Sequence, residues 1–402
     1  MTIRYERLPY RIHTEERPVP WRGTGEIVLH VERDPDFDAP LHLHVVDIHP
    51  AFEVQRPKRT LELFDDTATF VVVNRGHVPS VEPRFGYTLR IEDGRRTLDL
   101  RLGFEMKVLV TTEMDAGPGS LRDLLAQADA IPHPREIHFL PSVRRVHLRS
   151  PLTFRSDQPL RILGPPVDVH HPEASPTGVA TPKVWILGSG TGRLLLVGGH
   201  LTLARLGLAQ GHDPDLDGCL YVTGRLELDA GVWLRECSAG RGGGIAVARG
   251  GAIFFSHGMG EIRFVTVTQN EAARGAGIHA AGHYLSIAAN VLAGNGGGDL
   301  RAEDATEVFS DGFNLVGRPP LGAMLRLNRN DFVGTVYRPL DPRLSGWVDD
   351  RLSYRPPEPD SLAVNLVPVH YCAKFTDEMA TDQRGVRRPL SGACDAGAVE
   401  VY

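Results

Sequence analysis

The sequence predicts an all-β protein in two parts: an N-terminal β-sandwich, then a short parallel β-solenoid with a helix across its start. Three observations carry this reading. Segments up to about residue 107 alternate apolar and polar residues, the period of a half-buried strand. Beyond them, short apolar runs recur with glycine-rich turns between, the mark of a stacked repeat. Between the two textures lies the one segment with convincing amphipathic helical spacing.

In the first part, residues 1–107, the strand signals are "GEIVLHVE", "LHLHVVDI", "ATFVVVN", "GYTLRIEDGRRTLDLRL" and "EMKVLV". They are separated by "DPDFDAP", "RPKRT" and "GHVPS". Asp93-Gly94 predicts a hairpin with a two-residue loop. Five or more strands in about a hundred residues fit an immunoglobulin-like sandwich. That fold hosts many functions and names none.

The helix follows, over 120–130. Ser120 precedes Leu121, Leu124, Leu125 and Ala128, an i, i+3, i+4, i+7 stripe, and Asp123 replaces the usual Glu or Gln of a capping box. The repeats then read "CLYV", "LEL", "VWL"; "GIAV", "AIFF", "IRFVTV"; and "GIHA", "YLSI", "NVLA". Their leading turns near Gly218, Gly243 and Gly275 give periods of 25 and 32 residues. Three strands per turn of a coil would bury one apolar row on the next at ~4.8 Å spacing. Asn270, Asn290 and Asn295 sit at strand ends, where left-handed corners are expected of them. The helix is expected to cover the first coil and the C-terminal segment, 361–402, the last, because open coil ends expose strand edges.

Bulk composition excludes several classes. Of 402 residues, 42% are hydrophobic and 23% charged, and the formal net charge is −6, which leaves no electrostatic footprint for nucleic acid. No run of 18 apolar residues predicts a membrane span. "MTIRYERLPYRIHTEERPVPW" lacks a signal peptide's apolar core, so a cytoplasmic location is expected. Four cysteines are too few for a disulfide scaffold, and Cys219 with Cys237 reads by default as two buried small hydrophobes.

"DAGPGSLRDLLAQADA", "REIHFLPS", "SPLTF", "LRILGPP", "FSDGFNLVG", "LDPRLSG" and the terminal "TDQRGVRRPLSGACDAGAVE" occur in that order. Over roughly 108–402 this resembles bacterial right-handed parallel β-helix proteins of the CSLREA and choice-of-anchor Q type, with a pectin lyase-like fold. The resemblance implies an extracellular or cell-surface protein. It also implies cysteines at both ends of the terminal motif, so Cys372 and Cys394 become a disulfide candidate that would staple the tail. Arg384, Arg387 and Arg388 are expected to pair with Asp382, Asp395 or backbone carbonyls there.

Candidate sites are sparse. Asp213, Asp215 and Asp217 alternate before Gly218, as in the opening of a calcium loop, but Gly224 stands where the bidentate glutamate belongs. A solvated loop is the preferred reading, and calcium the one cofactor entertained. His42 and His44, with Asp47 and His49 nearby, would need a further ligand for zinc, and the solvent face of a strand explains them. A β-helix glycoside hydrolase would show carboxylates in one register on adjacent coils. Constant spacing sets Glu227 and Asp229 against Ala252 and Phe254, so no such pair is expected, nor an Arg or Lys base beside one. The expectation is therefore a non-catalytic, structural or adhesion-like protein that binds a carbohydrate or protein partner on its lateral face. The alternatives are a polysaccharide lyase or glycoside hydrolase, and an intracellular scaffold.

Overall fold

The computed structural model describes residues 8–15, 17–75, 84–131, 135–165, 184–213, 218–229, 231–239, 252–303, 305–322, 325–345, 357–375, 381–382, 388–389 and 392–401. The protein is all-β and carries long parallel sheets. It divides into two compact units: Met1–Leu109 with Ile131–Glu136, and Val110–Ala130 with Ile137–Tyr402.

The first unit is mainly antiparallel. Tyr10–Glu15, Arg22–Arg33, Thr67–Arg75 and Phe52–Gln55 pair in that order. Lys58–Leu61, Leu41–Ile48, Arg84–Glu92 and Thr97–Val110 form a second antiparallel run. Burial alternates along Leu41–Ile48 and Thr67–Arg75, as their sequence period requires. Phe52 of the first run meets Phe85 and Phe104 of the second, each ring pair with centroids 4.9 Å apart, so aromatic packing joins the two sheets. "RPKRT", read as a separator, supplies the first three residues of the edge strand Lys58–Leu61. By strand pairing the Asp93-Gly94 hairpin leaves four residues between Glu92 and Thr97, and Asp93 N–H also donates to Arg96 O at 3.2 Å across the turn. Asp93 Oδ1 accepts the N–H groups of Arg95 at 3.0 Å and Arg96 at 2.9 Å, and this side-chain turn stabilises the loop.

In the second unit a helix spans Leu121–Ala126, followed by a 3₁₀ turn, Ala128–Ala130. Ser120 Oγ accepts Asp123 N–H at 3.1 Å, while the Asp123 carboxylate reaches back to Gly119 N–H. The aspartate thus caps one residue further out than a capping box. Leu121, Leu124 and Leu125 are buried, and the helix packs on the strand Leu152–Phe154.

After the helix the chain visits three parallel sheets in rotation. The first contains Leu160–Leu163, His200–Ala204, Arg225–Leu228, Met259–Arg263, Tyr284–Ala288, Glu307–Gly312 and Leu325–Arg326. The second contains Arg145–His147, Trp185–Leu187, Gly207–Ala209, Trp233–Arg235, Thr266–Thr268, Val291–Leu292, Leu315–Val316 and Phe332–Val333. The third contains Leu152–Phe154, Leu195–Val197, Leu220–Val222, Ile253–Phe255, Ile278–Ala280 and Leu300–Ala302. Inward residues stack in rows: Leu201, Leu226, Gly260, Leu285 and Val308 are in register, and the Phe255 ring fills the space beside Gly260.

The corners correct an expectation about asparagine. Arg205, Phe264, Ala289 and Phe313 are left-handed non-glycine residues between the first and second sheets, with φ of 51–62°. Asn270, Asn290 and Asn295 each follow a left-handed residue and are not left-handed themselves. They form hydrogen-bond ladders instead. Asn290 donates to Asn314 Oδ1 at 2.9 Å, and Asn314 to Asp331 Oδ1 at 3.0 Å. Asn270 donates to Asn295 Oδ1 at 2.9 Å, and Asn295 to Asp299 Oδ1 at 2.8 Å. Each acceptor oxygen also takes the backbone N–H of the residue donating to it, so buried corner amides are satisfied.

The C-terminal segment also differs from expectation. It lies along the flank of the second sheet and does not simply cover an end. Ala398, Val399 and Val401 pack on Trp185, Ala209 and Trp233, while Ala363, Val367, Cys372, Cys394 and Ala396 pack with Phe264, Ala289, Val291 and Leu315. The outward row of that sheet includes Trp185, Trp233, Val291 and Leu315, with Gly207 and Thr266 between them, and its large apolar members require a cover. A buried polar network holds the cover. Arg388 donates to Asp395 O at 2.7 Å, Gly397 O at 2.7 Å and Glu400 Oε2 at 3.0 Å, and Glu400 N–H donates to Asp382. Arg384 and Arg387 lie outside the described residues.

Candidate binding face

The outward residues of the first parallel sheet carry the charged chemistry. One row runs His200, Arg225, Met259, Tyr284, Glu307; the adjacent row runs Thr202, Glu227, Glu261, Ser286, Phe309. Alternation along each strand turns these side chains out while Leu226, Ile262 and Ile287 turn in.

Glu227 and Glu261 are direct partners on adjacent strands. The expectation that no carboxylates share a register is therefore overturned, as is the pairing of Glu227 with Ala252 or Phe254. Ile253–Phe255 belongs to the third sheet, opposite Leu220–Val222. "IRFVTV" contains parts of two strands divided at left-handed Phe264, and "GIAV" lies outside the described residues. The signal that would have found the pair is the third-position glutamate shared by "RLEL" and "MGEI", aligned irrespective of spacing.

Each carboxylate holds cationic partners. Glu227 Oε1 lies 3.0 Å from His200 Nε2 and 2.9 Å from Arg225 Nε, and its Oε2 accepts Thr202 Oγ1–H at 3.0 Å. Arg225 also donates to Glu261 Oε1 at 2.7 Å, and Arg263 to Glu261 Oε2 at 2.6 Å. Partial burial pushes the Glu227 carboxyl up, but hydrogen bonds from His200 and Thr202 and the charges of His200 and Arg225 outweigh it. It stays below the ordinary glutamate value, an acceptor at neutral pH. Beside this cluster Met259, Tyr284 and Phe309 are exposed.

The third sheet's outward row is Tyr221, Phe254, His279 and Arg301. Tyr221, Phe254 and His279 stack edge to face at 5.6 and 5.4 Å, but Phe254 and His279 are buried and offer little surface. With the second sheet covered by the C-terminal segment, the first presents the chemically richest open face among the described residues.

The other sequence-derived sites fall elsewhere. Asp213 pairs with Arg193 at 2.6 Å, while Asp215 and Asp217 lie outside the described residues. His42 bonds Thr60 across a strand pair, and His49 packs against Phe52 and Phe85. No group of three or more metal-ligating side chains occurs among the described residues. Cys372 is disulfide-bonded to Cys394. Cys219 and Cys237, expected as buried small hydrophobes, are also disulfide-bonded, with Cα atoms 5.5 Å apart. No helix among the described residues is long and apolar enough to cross a membrane.

No family model matches the chain, and neither the curated proteins nor the solved structures include a match.

Proposed function

We propose that the second unit is a right-handed parallel β-helix of the pectin lyase-like kind, related to the CSLREA and choice-of-anchor Q proteins. Its first parallel sheet binds a hydroxyl-rich polysaccharide without cleaving it. The first unit, on the same reading, is an immunoglobulin-like β-sandwich. The rotation of the chain through three stacked parallel sheets supports the architecture.

One observation carries the binding role: the charge-balanced cluster of Arg225, Arg263, Glu227, Glu261 and His200 beside the exposed Tyr284 and Phe309. Guanidinium forks donate and carboxylates accept, which together suit a neutral chain of hydroxyls better than a polyanion. The aromatic faces would take the C–H faces of sugar rings. A glycosidase's general acid needs a raised pKa, whereas Glu227 is held ionised. Two disulfides favour an oxidising, extracellular setting over a reducing cytosol.

A second reading, glycoside hydrolysis, draws on the shared register of Glu227 and Glu261 at about one strand spacing (~4.8 Å), near the separation retaining enzymes use. The test is a glycan array and polysaccharide-turnover screen on purified protein, with and without calcium, repeated on Arg225→Ala and Tyr284→Ala. Retention of a neutral glycan, weakened in both variants and without release of reducing ends or unsaturated sugars, is expected. Undiminished binding by both variants would remove the face from consideration, and product release would establish an enzyme.

A further inference from the structure

A second site lies away from that face, at the edge of the third sheet. A cavity of about 110 Å³ is lined by Arg274, Arg301, Gly275, Gly297, Gly298 and Leu321, among others. We propose that it binds one small oxyanion: the carboxylate, sulfate or phosphate group of an acidic glycan or of a free inorganic ion.

Size restricts the ligand first. At about 30 Å³ per water, the space holds roughly three or four waters, enough for one oxyanion group and too little for a sugar ring. Charge restricts it next: among the described residues two arginines line the cavity and no Asp or Glu does. Arg274 is exposed and makes no ion pair or hydrogen bond among the described residues. Arg301 is placed on the strand Leu300–Ala302 by its pairing with His279. Glu303, its nearest carboxylate, is 3.7 Å from Arg301 Nε and is engaged by His279 Nε2 at 2.9 Å. Arg301 Nε is buried with no hydrogen-bond partner among the described residues. A guanidinium in that state is stabilised by an added acceptor.

Glycine shapes the remaining wall. Gly297 and Gly298 have φ of 102° and 103°, which an L side chain rarely adopts. A Cβ on Gly298 would meet nothing within 4 Å, so the backbone there borders unfilled space. The site is independent of the polysaccharide face, since none of these residues belongs to the first parallel sheet.

The test is calorimetric titration of the full chain with sodium sulfate, phosphate or acetate at constant ionic strength. The variants are Arg274→Ala and Arg301→Gln, with Arg101→Ala in the first unit as a control for general charge. Saturable one-to-one binding of at least one anion is expected, weakened tenfold or more by either site variant and unchanged by the control. Repeating it with sulfated and uronate oligosaccharides separates the sources: tighter binding of an oligosaccharide than of its inorganic counterpart assigns a glycan group, and equal binding assigns the free ion. Absence of saturable binding, or equal loss in Arg101→Ala, overturns the proposal. Arg274 makes no hydrogen bond among the described residues, so its variant decides the matter even if Arg301→Gln unfolds.

Discussion

Two faces of the second unit invite comparison. The second parallel sheet turns Trp185, Trp233, Thr266 and Val291 toward the C-terminal segment, and those residues are buried. The first turns Arg225, Glu227, Glu261 and Tyr284 outward and leaves them partly open. Both faces use the same strand geometry. The difference teaches that a flank becomes core or surface according to its outward rows, and that the chain's own tail is the partner for the apolar one.

The largest effect is expected at Arg388. Arg388→Ala removes a cation paired with buried Glu400 and should cost about 3–5 kcal/mol, read as a lower urea midpoint. Tryptophan fluorescence should shift red as Trp185 and Trp233 lose their cover. An unchanged midpoint would mean the tail is not held by this pair. Removing the clasp is expected to matter somewhat less. Cys372→Ser with Cys394→Ser opens a link across 22 residues, and about 3 kcal/mol should disappear, read as a lower urea midpoint under oxidising conditions.

Smaller still is Gly207→Ala on the covered face. The new Cβ would collide with the Trp185 ring, so overpacking of about 1–3 kcal/mol is expected. A neutral result would show that the covered face has slack. The least change is expected on the open face, where Glu227→Gln should alter neutral-pH stability by no more than about 1 kcal/mol. Its signature is pH dependence. Glu227 has a folded pKa below its ordinary 4.5, so its contribution is present above that value and is lost as pH falls through the lower folded value. The acid limb of the stability curve should flatten in the variant, and persistence of the full slope would reassign it to other carboxylates.

Local signals were legible where side chains alternate. "LHLHVVDI" is the strand Leu41–Ile48, and the Ser120 cap begins the helix at Leu121. They failed where neighbours distant in sequence decide. Lys58–Leu61 is polar on paper but pairs with Leu41–His44 at a sheet edge. Asn270 and Asn295 looked like turn formers, yet their value lies in bonding one another across coils. Glu227 and Glu261 are not paired by a fixed period, because the sequence separation between neighbouring strands of this sheet is unequal. Cys219 and Cys237 stand at the start and end of one repeat, which places them as neighbours by sequence, but their disulfide was not the expected reading.

A second helix, Val369–Phe375, was not expected from its residues, but local patterns set the all-β character, the position of the capped helix Leu121–Ala126 and which residues of each strand are apolar. Those follow from side-chain period and capping chemistry within a few neighbouring residues. Only the tertiary structure decided which strand faces which, which flank the C-terminal segment covers, and which polar groups meet. Such matters depend on connector length and on burial shared by residues far apart in the chain, and neither is written in any local pattern.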